Sequence, residues 1–273
     1  MSSALAMARR LDRAEIDFCA LAGATGSTSG AVDRLEAGGG LALYSKPGSP
    51  LNKVLGLGLA GPVADEDLDR IERFYRDHAS PAQIELCPLA YVDVAARLCM
   101  RGFVIQGFES QIARVPGPLP ALPPGVRVTL AASEQDDLWC RVVAEGFGAA
   151  EAHVGGGPEQ ETFSTEKLIE MMAQFRHPGI RGYIAWIDGR PAGGGSSWML
   201  DGVLGIAGTS TLPEYRRRGV QTALALQAML DAPDSGELIT ATTAPGSTSQ
   251  RTFERLGFQL LYTRTILVKS FGD

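Results

Sequence analysis

The sequence predicts an α/β protein of the α+β type, made of two consecutive domains, and three observations lead to this prediction. Residues 116–124 form a proline-rich connector, which cannot continue a helix or lie in a central strand. On both sides of it, segments with helical periodicity alternate with segments that have the periodicity of strands. A weak internal repeat also relates the two halves. We therefore expect one domain at 1–115, the linker at 116–124 and a second domain at 125–273.

In the second half, "GVRVTLAA" alternates as a strand, and "SEQDDLWCRVVAEGF" follows as a helix. The next helix, "STEKLIEMMAQFRHPG", has Ser164 or Thr165 as its N-cap. A hairpin is expected to turn at Asp188 and Gly189. The strand "VLGIAGTSTL" then leads to a helix that begins near Gly219. After it come the buried strand "GELITATT", the helix "GSTSQRTFERLG" and one or two closing strands.

The internal repeat is centred on two Gly-Phe pairs. Gly102 and Gly257 are 155 positions apart, and each follows a helical segment and precedes an alternating strand. At the same offset Ile84 falls on Ile239. These matches predict a duplicated fold, although an unrelated α/β domain in the first half remains the alternative.

Composition excludes several classes of protein. The chain has 31 Asp and Glu against 25 Lys and Arg, and a net charge of −6 argues against a general nucleic-acid binder. The longest apolar run is too short to cross a bilayer, and charges stand where a signal peptide needs its apolar core. Four cysteines and three histidines are dispersed, so no metal is expected. We expect a cytoplasmic monomer or homodimer without nucleic-acid or membrane partners.

The segment "LPEYRRRGVQTALALQAML" places three arginines and a glycine at the start of a helix. Cations are unfavourable at a helix N-terminus, because its unpaired N–H groups already carry partial positive charge. A bound anion would compensate, and a glycine there allows the backbone to approach a pyrophosphate closely. The segment therefore predicts an anion-binding loop, although a solvated basic turn remains an alternative. The loop fits neither the Walker nor the dinucleotide-binding pattern.

This loop resembles that of the GNAT superfamily of N-acetyltransferases. Its pattern, [Q/R]-x-x-G-x-[G/A], begins at Arg216 with Gly219 as the glycine, and "SQRTFERLGF" follows about 35 residues later. The order of elements over about 125–270 is also that of the family. The resemblance implies tandem GNAT-like domains, each with a mixed, mostly antiparallel central sheet flanked by helices. It further implies a splayed central strand in the C-terminal domain, with Gly208 as a bulge site.

The resemblance also implies which residues bind acetyl-coenzyme A. Ser210, Thr211 and Leu212 would pair with the pantetheine arm. The side chains of Arg216, Arg217 and Arg218, and the N–H groups from Arg218 through Gly219, Val220, Gln221 and Thr222, would hold the pyrophosphate. Gln221 departs from the family, which prefers Gly or Ala at this position.

Catalytic residues are harder to assign. Phe253 stands where many relatives carry a tyrosine that protonates the leaving thiolate, and phenylalanine cannot donate a proton. Either the thiolate leaves unassisted, or Ser249 or Tyr262 replaces the tyrosine; Ser249 also lies where it can contact the cofactor. Glu145 is the candidate general base, and Glu159, Glu161 and His153 are further acid–base candidates in the acceptor region.

The first half is expected to be a degenerate copy without a cofactor site. Where the second half has arginines, it has Asp65, Glu66, Asp67 and Asp69, which would repel a pyrophosphate. The resemblance thus implies an acetyl-coenzyme A-dependent N-acetyltransferase that acts directly on a primary amine of a small molecule or peptide. The alternative is a non-catalytic protein that senses coenzyme A or an acyl-coenzyme A.

Overall fold

The computed structural model describes residues 3–26, 30–149, 164–233 and 236–272. These residues form two compact units. The N-terminal unit comprises Met1–Ser110 and Tyr262–Asp273, and the C-terminal unit comprises Gln111–Leu261. Within the described residues, no helix has both the length and the apolar character needed to cross a membrane.

The N-terminal unit begins with a long helix, which is followed by three strands and an alternation of helices and strands. Its elements are α1 (Ser3–Gly26), β1 (Asp33–Ala37), β2 (Gly40–Tyr44), β3 (Val54–Leu55), α2 (Asp65–Asp77), β4 (Ala82–Leu86), α3 (Val94–Met100) and β5 (Val104–Arg114). Strand β5 crosses into the C-terminal unit after Ser110.

The C-terminal unit repeats this order after its own first strand and helices. Its elements are β6 (Arg127–Leu130), α4 (Asp136–Gly148), α5 (Thr165–Met172), β7 (Ile180–Ile187), β8 (Arg190–Leu200), β9 (Val203–Thr211), α6 (Val220–Leu230), β10 (Leu238–Thr243) and α7 (Thr248–Arg255). The last strand, β11 (Gln259–Lys269), begins in this unit and passes into the N-terminal unit after Leu261. The predicted hairpin turns at Asp188 and Gly189, which both have positive φ angles, as a tight type I′ turn requires.

The two units have the same strand pairing. In the first, β1, β2 and β3 are antiparallel neighbours and β3 pairs in parallel with β4. In the second, β7, β8 and β9 are antiparallel neighbours and β9 pairs in parallel with β10. The crossover helix of each parallel pair is α2 or α6, as such pairs need. Strands β5 and β11 also start 155 positions apart, at Val104 and Gln259, which is the offset of the sequence repeat.

The final strands of the two repeats are exchanged between the units. Strand β11 pairs with β4 in the N-terminal unit, from Thr265 opposite Leu86 to Lys269 opposite Ala82. In the C-terminal unit, the Gln111 side chain donates a 2.6 Å hydrogen bond to the Thr240 hydroxyl of β10. The units therefore differ from the expected domains: residues 262–273 belong with the first unit, and residues 111–124 with the second.

Helices cover both faces of the C-terminal sheet. On β7, Tyr183, Ala185 and Ile187 pack in one core cluster with α6 and α7. Ile184, which points to the opposite face, packs in another cluster with α4 and α5. The end of β9 consequently lies between two helical layers.

Candidate active site

Strands β9 and β10 separate at their C-terminal ends. Their parallel pairing covers only Val203–Ile206 and Leu238–Ala241, although β9 continues to Thr211 and β10 to Thr243. Against β8, the register of β9 shifts where Gly208 adopts a φ of +62°. An extra residue of this kind is a β-bulge, which bends a strand away from its neighbour. The predicted splay, with its bulge at Gly208, is therefore observed.

Two hydroxyls are buried at the separated ends without a hydrogen-bond partner in the described part of the chain. They are Ser210 Oγ on β9 and Thr243 Oγ1 on β10. The two residues are 6% and 5% exposed, respectively. Because buried polar atoms almost always have a partner, these hydroxyls indicate that a polar ligand or water belongs in the gap.

Three consecutive glycines of β8 allow other chain segments to approach the separated end of β9. A Cβ atom on Gly193 would lie 2.4 Å from the carbonyl oxygen of Ser210, and one on Gly195 would lie 2.9 Å from Thr209 Cγ2. The middle glycine would collide with Val143 of α4 in the same way. Sequence reasoning missed this contribution to the site, although glycines inside a strand are a signal of close approach.

The backbone before α6 is shaped to bind an anion. Arg217 and Gly219 have φ angles of +59° and +83°, so the chain curls twice before the helix begins at Val220. Gly219 is the N-cap, and in the described part of the chain the helix has no side-chain cap hydrogen bond. Such a curled backbone at a helix N-terminus directs N–H groups and partial positive charge toward a ligand.

Gly219 is required at this position for two reasons. Its left-handed conformation is unfavourable for residues with a side chain. In addition, a Cβ atom here would lie 2.8 Å from Cβ of Pro123, in the proline-rich segment. The segment expected to act only as a linker therefore packs against the anion-binding loop.

The three arginines do not point the same way. The Arg216 guanidinium donates to the carbonyl oxygen of Ala149 at the end of α4. Arg218 lies 5.6 Å from the Tyr215 ring centroid, and its Nη2 lies 3.8 Å from a carboxylate oxygen of Asp188. Arg217 is exposed at the tip of the curl. Arg216 is thus bonded within the protein, whereas the exposed Arg217 and Arg218 lie beside the backbone N–H groups of the predicted anion site.

Gln221 stands where the family prefers Gly or Ala, which would let the backbone approach the pyrophosphate closely. Its side chain extends from the first turn of α6 toward α7, and its Nε2 lies 2.6 Å from Ser249 Oγ. The same nitrogen lies 3.4 Å from Thr209 Oγ1 on the separated end of β9. Ser249 is therefore brought to the predicted cofactor loop, whereas the contribution of Thr209 was missed.

Phe253 is unavailable for chemistry. It is 2% exposed and packs edge-on against Phe258, with 5.0 Å between the ring centroids. The position where relatives carry a tyrosine is therefore part of the core.

Tyr262 belongs to the N-terminal unit, where its hydroxyl donates to a carboxylate oxygen of Asp12 at 3.2 Å. Burial, with the neighbouring Asp12 charge, raises the pKa of the Tyr262 phenol far above its usual range. Arg264, 0% exposed, lies in the same cluster and also contacts Asp12, at 2.6 Å. The structure thus gives Tyr262 a partner in the N-terminal unit and does not group it with the α6 loop.

Three carboxylates of the same cluster, those of Glu15, Glu85 and Glu109, have oxygens within 4.8 Å of one another. This spacing alone would suit a metal ion. However, Arg264 Nη1 lies 2.5 Å from Glu15 and 3.2 Å from Glu85, and Lys53 Nζ lies 2.7 Å from Glu85. Protein cations therefore already neutralise much of this negative charge.

The candidate bases are less well placed. Glu145 is exposed on α4, and the residue that α4 packs against the end of β9 is its neighbour Gly146. A Cβ atom on Gly146 would lie 2.5 Å from Ser210 Oγ. Glu159, Glu161 and His153 lie outside the described residues.

In the N-terminal unit, the start of α2 occupies the place that corresponds to the anion-binding loop. Asp65 is paired there with Arg97 of α3 at 2.7 Å, and Arg97 also donates to the carbonyl oxygen of Val63. The hydrogen bond from Arg97 lowers the pKa of Asp65. Arg101 bonds Asp69 and, at 2.9 Å, Glu72. This helix start is occupied by carboxylates that have their own arginine partners.

Comparison with known proteins shows what part of the chain and its fold are similar to. Residues 150–258 match the model of the Acetyltransferase (GNAT) family. A GCN5-related N-acetyltransferase from Kribbella flavida has a TM-score of 0.70 and 22% identity, over 97% of this chain and 96% of its own. One from Sphaerobacter thermophilus has a TM-score of 0.57 and 15% identity, over 87% and 75%. No curated protein sequence matches the chain.

A tandem GNAT protein from the clavulanic acid biosynthesis pathway is also similar, with a TM-score of 0.55 and 16% identity over 86% of this chain and 79% of that protein. The fold is thus that of GNAT proteins, and a protein with two such domains is among those similar to it. The residues that match the GNAT family model, 150–258, all lie in the C-terminal unit.

Proposed function

We propose that the C-terminal unit binds acetyl-coenzyme A and transfers its acetyl group directly to a primary amine of a small molecule or peptide. The observation that carries this proposal is the separation of β9 from β10 beyond Ile206, together with the start of α6 at Val220, which has no side-chain cap. Hydroxyls without a partner among the described residues lie at the separated strand ends, and the first N–H groups of α6 can also donate to a ligand.

The residues present fit this donor molecule. The main chain of Ser210 and Thr211 lies at the separated edge, where it would pair with the amides of the pantetheine arm. Leu212 does not fit this role, because its N–H donates to the carbonyl oxygen of Ala192 and its carbonyl oxygen accepts from the N–H of Tyr215. The N–H groups around Gly219 and Val220 would hold the diphosphate, with charge-assisted help from Arg217 and Arg218. The bound molecule supplies a reactive thioester, and the protein supplies alignment, which by itself is worth about 7–11 kcal/mol of barrier.

In this proposal no side chain of the described residues protonates the leaving group. The thiol is acidic enough to leave as a thiolate, and the buried Phe253 has no proton to donate. Tyr262 is engaged by Asp12, and Ser249 is assigned to donor binding below. Glu145 remains a predicted base that would remove the proton of the amine. Cytoplasmic location and a monomeric or dimeric state also remain predictions.

A non-catalytic sensor of coenzyme A is the second candidate. It is favoured by Phe253, because a domain that only binds does not need a proton donor. The test is turnover: purified protein, acetyl-coenzyme A and a panel of primary amines, with release of free thiol followed by a thiol reagent. Amine-dependent thiol release supports the transferase. Calorimetric binding of coenzyme A without thiol release from any amine supports the sensor, and absence of binding overturns both.

A further inference from the structure

Thr209, Gln221 and Ser249 form a polar group, here called the amide triad, that joins the end of β9 to the first turns of α6 and α7. All three residues are half-buried. The centre of the triad is Gln221 Nε2, whose two hydrogens match the two hydroxyl oxygens within its reach.

This arrangement fixes the direction of the hydroxyl protons. An amide nitrogen can only donate, so Thr209 Oγ1 and Ser249 Oγ must both accept from Gln221. Each hydroxyl keeps its own proton for another acceptor, and neither donates to an acceptor among the described residues. The triad therefore presents two O–H donors whose acceptors belong to something other than the described protein.

A third hydroxyl lies on the same side of the sheet. Thr243 follows Ile239 and Ala241 at alternating positions of β10, and these two residues pack in the core cluster of α6. Its Oγ1 is the buried, unpartnered atom described above. The side of the gap that faces α6 can therefore donate several hydrogen bonds to a ligand that accepts them.

The position of the triad identifies the part of the ligand that it meets. Gln221 is the second residue of α6, and both hydroxyls lie within the reach of its side chain, 3.4 Å or less from Nε2. The triad is thus close to the diphosphate end of the path, whereas the sulfur is at the far end of the pantetheine arm. The phosphate oxygens there would accept from the N–H groups of the loop, so the next acceptors along the ligand are the carbonyl oxygens of the arm.

We propose that Gln221 is a specificity-determining residue that holds the Thr209 and Ser249 hydroxyls as donors to the carbonyl oxygens of a pantetheine arm. This inference rests on the proposed function and deepens it: the acyl donor is selected by its pantetheine amides as well as by its nucleotide. Gln221 acts through the two hydroxyls, and Ser249 binds the donor molecule without exchanging a proton with it.

Calorimetry with two probes tests this assignment. Coenzyme A contains the arm, whereas adenosine 3′-phosphate 5′-diphosphate contains the nucleotide and diphosphate alone. The variants Ser249→Ala, Thr209→Val and Gln221→Met each remove one member of the triad. We expect each to weaken binding of coenzyme A about three- to tenfold and to leave binding of the nucleotide within about twofold of wild type.

The matched control is Gln227→Met, because Gln227 lies on the same helix and its amide donates to Asp231 at 2.8 Å. This variant should bind both probes as the wild type does. The double variant Gln221→Met/Ser249→Ala should weaken coenzyme A less than the product of the single effects, since the two residues act as one unit. Thermal unfolding of every variant checks that it is folded.

The possible failures are distinguishable. If wild-type protein binds neither probe, the proposed function is overturned together with this inference. If wild-type protein binds coenzyme A but the triad variants bind it normally, or weaken both probes equally, the inference alone is overturned.

Discussion

Helices α2 and α6 follow corresponding strands in the two units, yet their first turns are stabilised in opposite ways. Helix α2 begins with Asp65, Glu66 and Asp67, and the first of these is paired with Arg97. Helix α6 begins after Gly219 with no acidic residue in its first turn and no side-chain cap. A helix start with its own carboxylates has no need of an anion, whereas one that lacks them can receive it. The two units thus share one order and pairing of strands, and we propose that the residues at the helix start determine which unit binds an anion.

The largest expected effect concerns the cluster that supports the N-terminal unit. Replacing Arg264 by Met would leave the carboxylates of Asp12, Glu15 and Glu85 without their shared cation. We expect the free energy of unfolding to fall by about 3–5 kcal/mol, because removal of one partner leaves buried charge uncompensated. Urea unfolding measures this. A loss below about 1 kcal/mol would show that these ion pairs do not support the unit.

The next effect distinguishes the two units directly. Gly219→Ala strains a left-handed position and moves a methyl group against Pro123, so we expect at least about 30-fold weaker binding of coenzyme A, or about 2 kcal/mol. Gly102→Ala is the matched control, because Gly102 has a φ of +86° in the N-terminal unit and open space around it. Gly102→Ala should lower the free energy of unfolding by about 1 kcal/mol and leave the binding of coenzyme A unchanged. If both variants bound coenzyme A equally well, the proposed difference between the two units would be wrong.

Arg217 gives a smaller effect with opposite signs for stability and binding. It is an arginine in a left-handed conformation, at a cost of about 1–3 kcal/mol. Arg217→Gly should raise the melting temperature while weakening coenzyme A about tenfold and reducing the salt dependence of binding. Asp65→Asn at the start of α2 should leave binding unchanged. Calorimetry at two salt concentrations measures both variants, and tighter binding by Arg217→Gly would contradict the assignment of its charge.

The smallest effect is a pH dependence of the N-terminal unit. Burial and the charges of Glu85 and Glu15 raise the pKa of Glu109 to about 7. A carboxyl whose pKa is raised on folding stabilises the fold while protonated, and this stability is lost as the pH rises through about 7. Stability should therefore decline from about pH 4.5, where the carboxyl of the unfolded chain titrates, to about pH 7 and level off above it, with a slope of at most about 1.4 kcal/mol per pH unit. Glu109→Gln should flatten this profile in urea unfolding at each pH, and a profile identical to that of wild type would refute the assignment.

Much of the fold could be predicted from the sequence, because its signals are local. The Asp188-Gly189 hairpin, the Ser164 cap, the helix after Gly219 and the repeat offset all depend on short patterns of turn residues and apolar periodicity. The Ser164 hydroxyl does accept from the Lys167 N–H, at 3.3 Å. The exchange of β5 and β11 could not be predicted, since the pairing of a strand depends on edges far away in the chain, and the domain boundaries differ for that reason.

The candidate site likewise has residues that a local motif predicts and residues that depend on distant parts of the chain. The loop residues from Arg216 to Thr222 follow from a local motif, and the structure gives their backbone the expected curl. Which arginine is bonded within the protein was not predictable, because the Arg216 contact with Ala149 depends on the position of α4. The roles of Thr209 and Thr243 also depended on the bulge and on the separation of two strands. Tyr262 was chosen for its chemistry alone, and its partner Asp12 is 250 residues away in the sequence.

The most direct test of the central claim is hydrogen–deuterium exchange of the intact protein with and without coenzyme A. The account predicts slower exchange in peptides that cover Val203–Thr211 and the first turn of α6, and unchanged exchange at the first turn of α2. Protection at the start of α2, or no protection at the start of α6 under conditions where coenzyme A is bound, would contradict it.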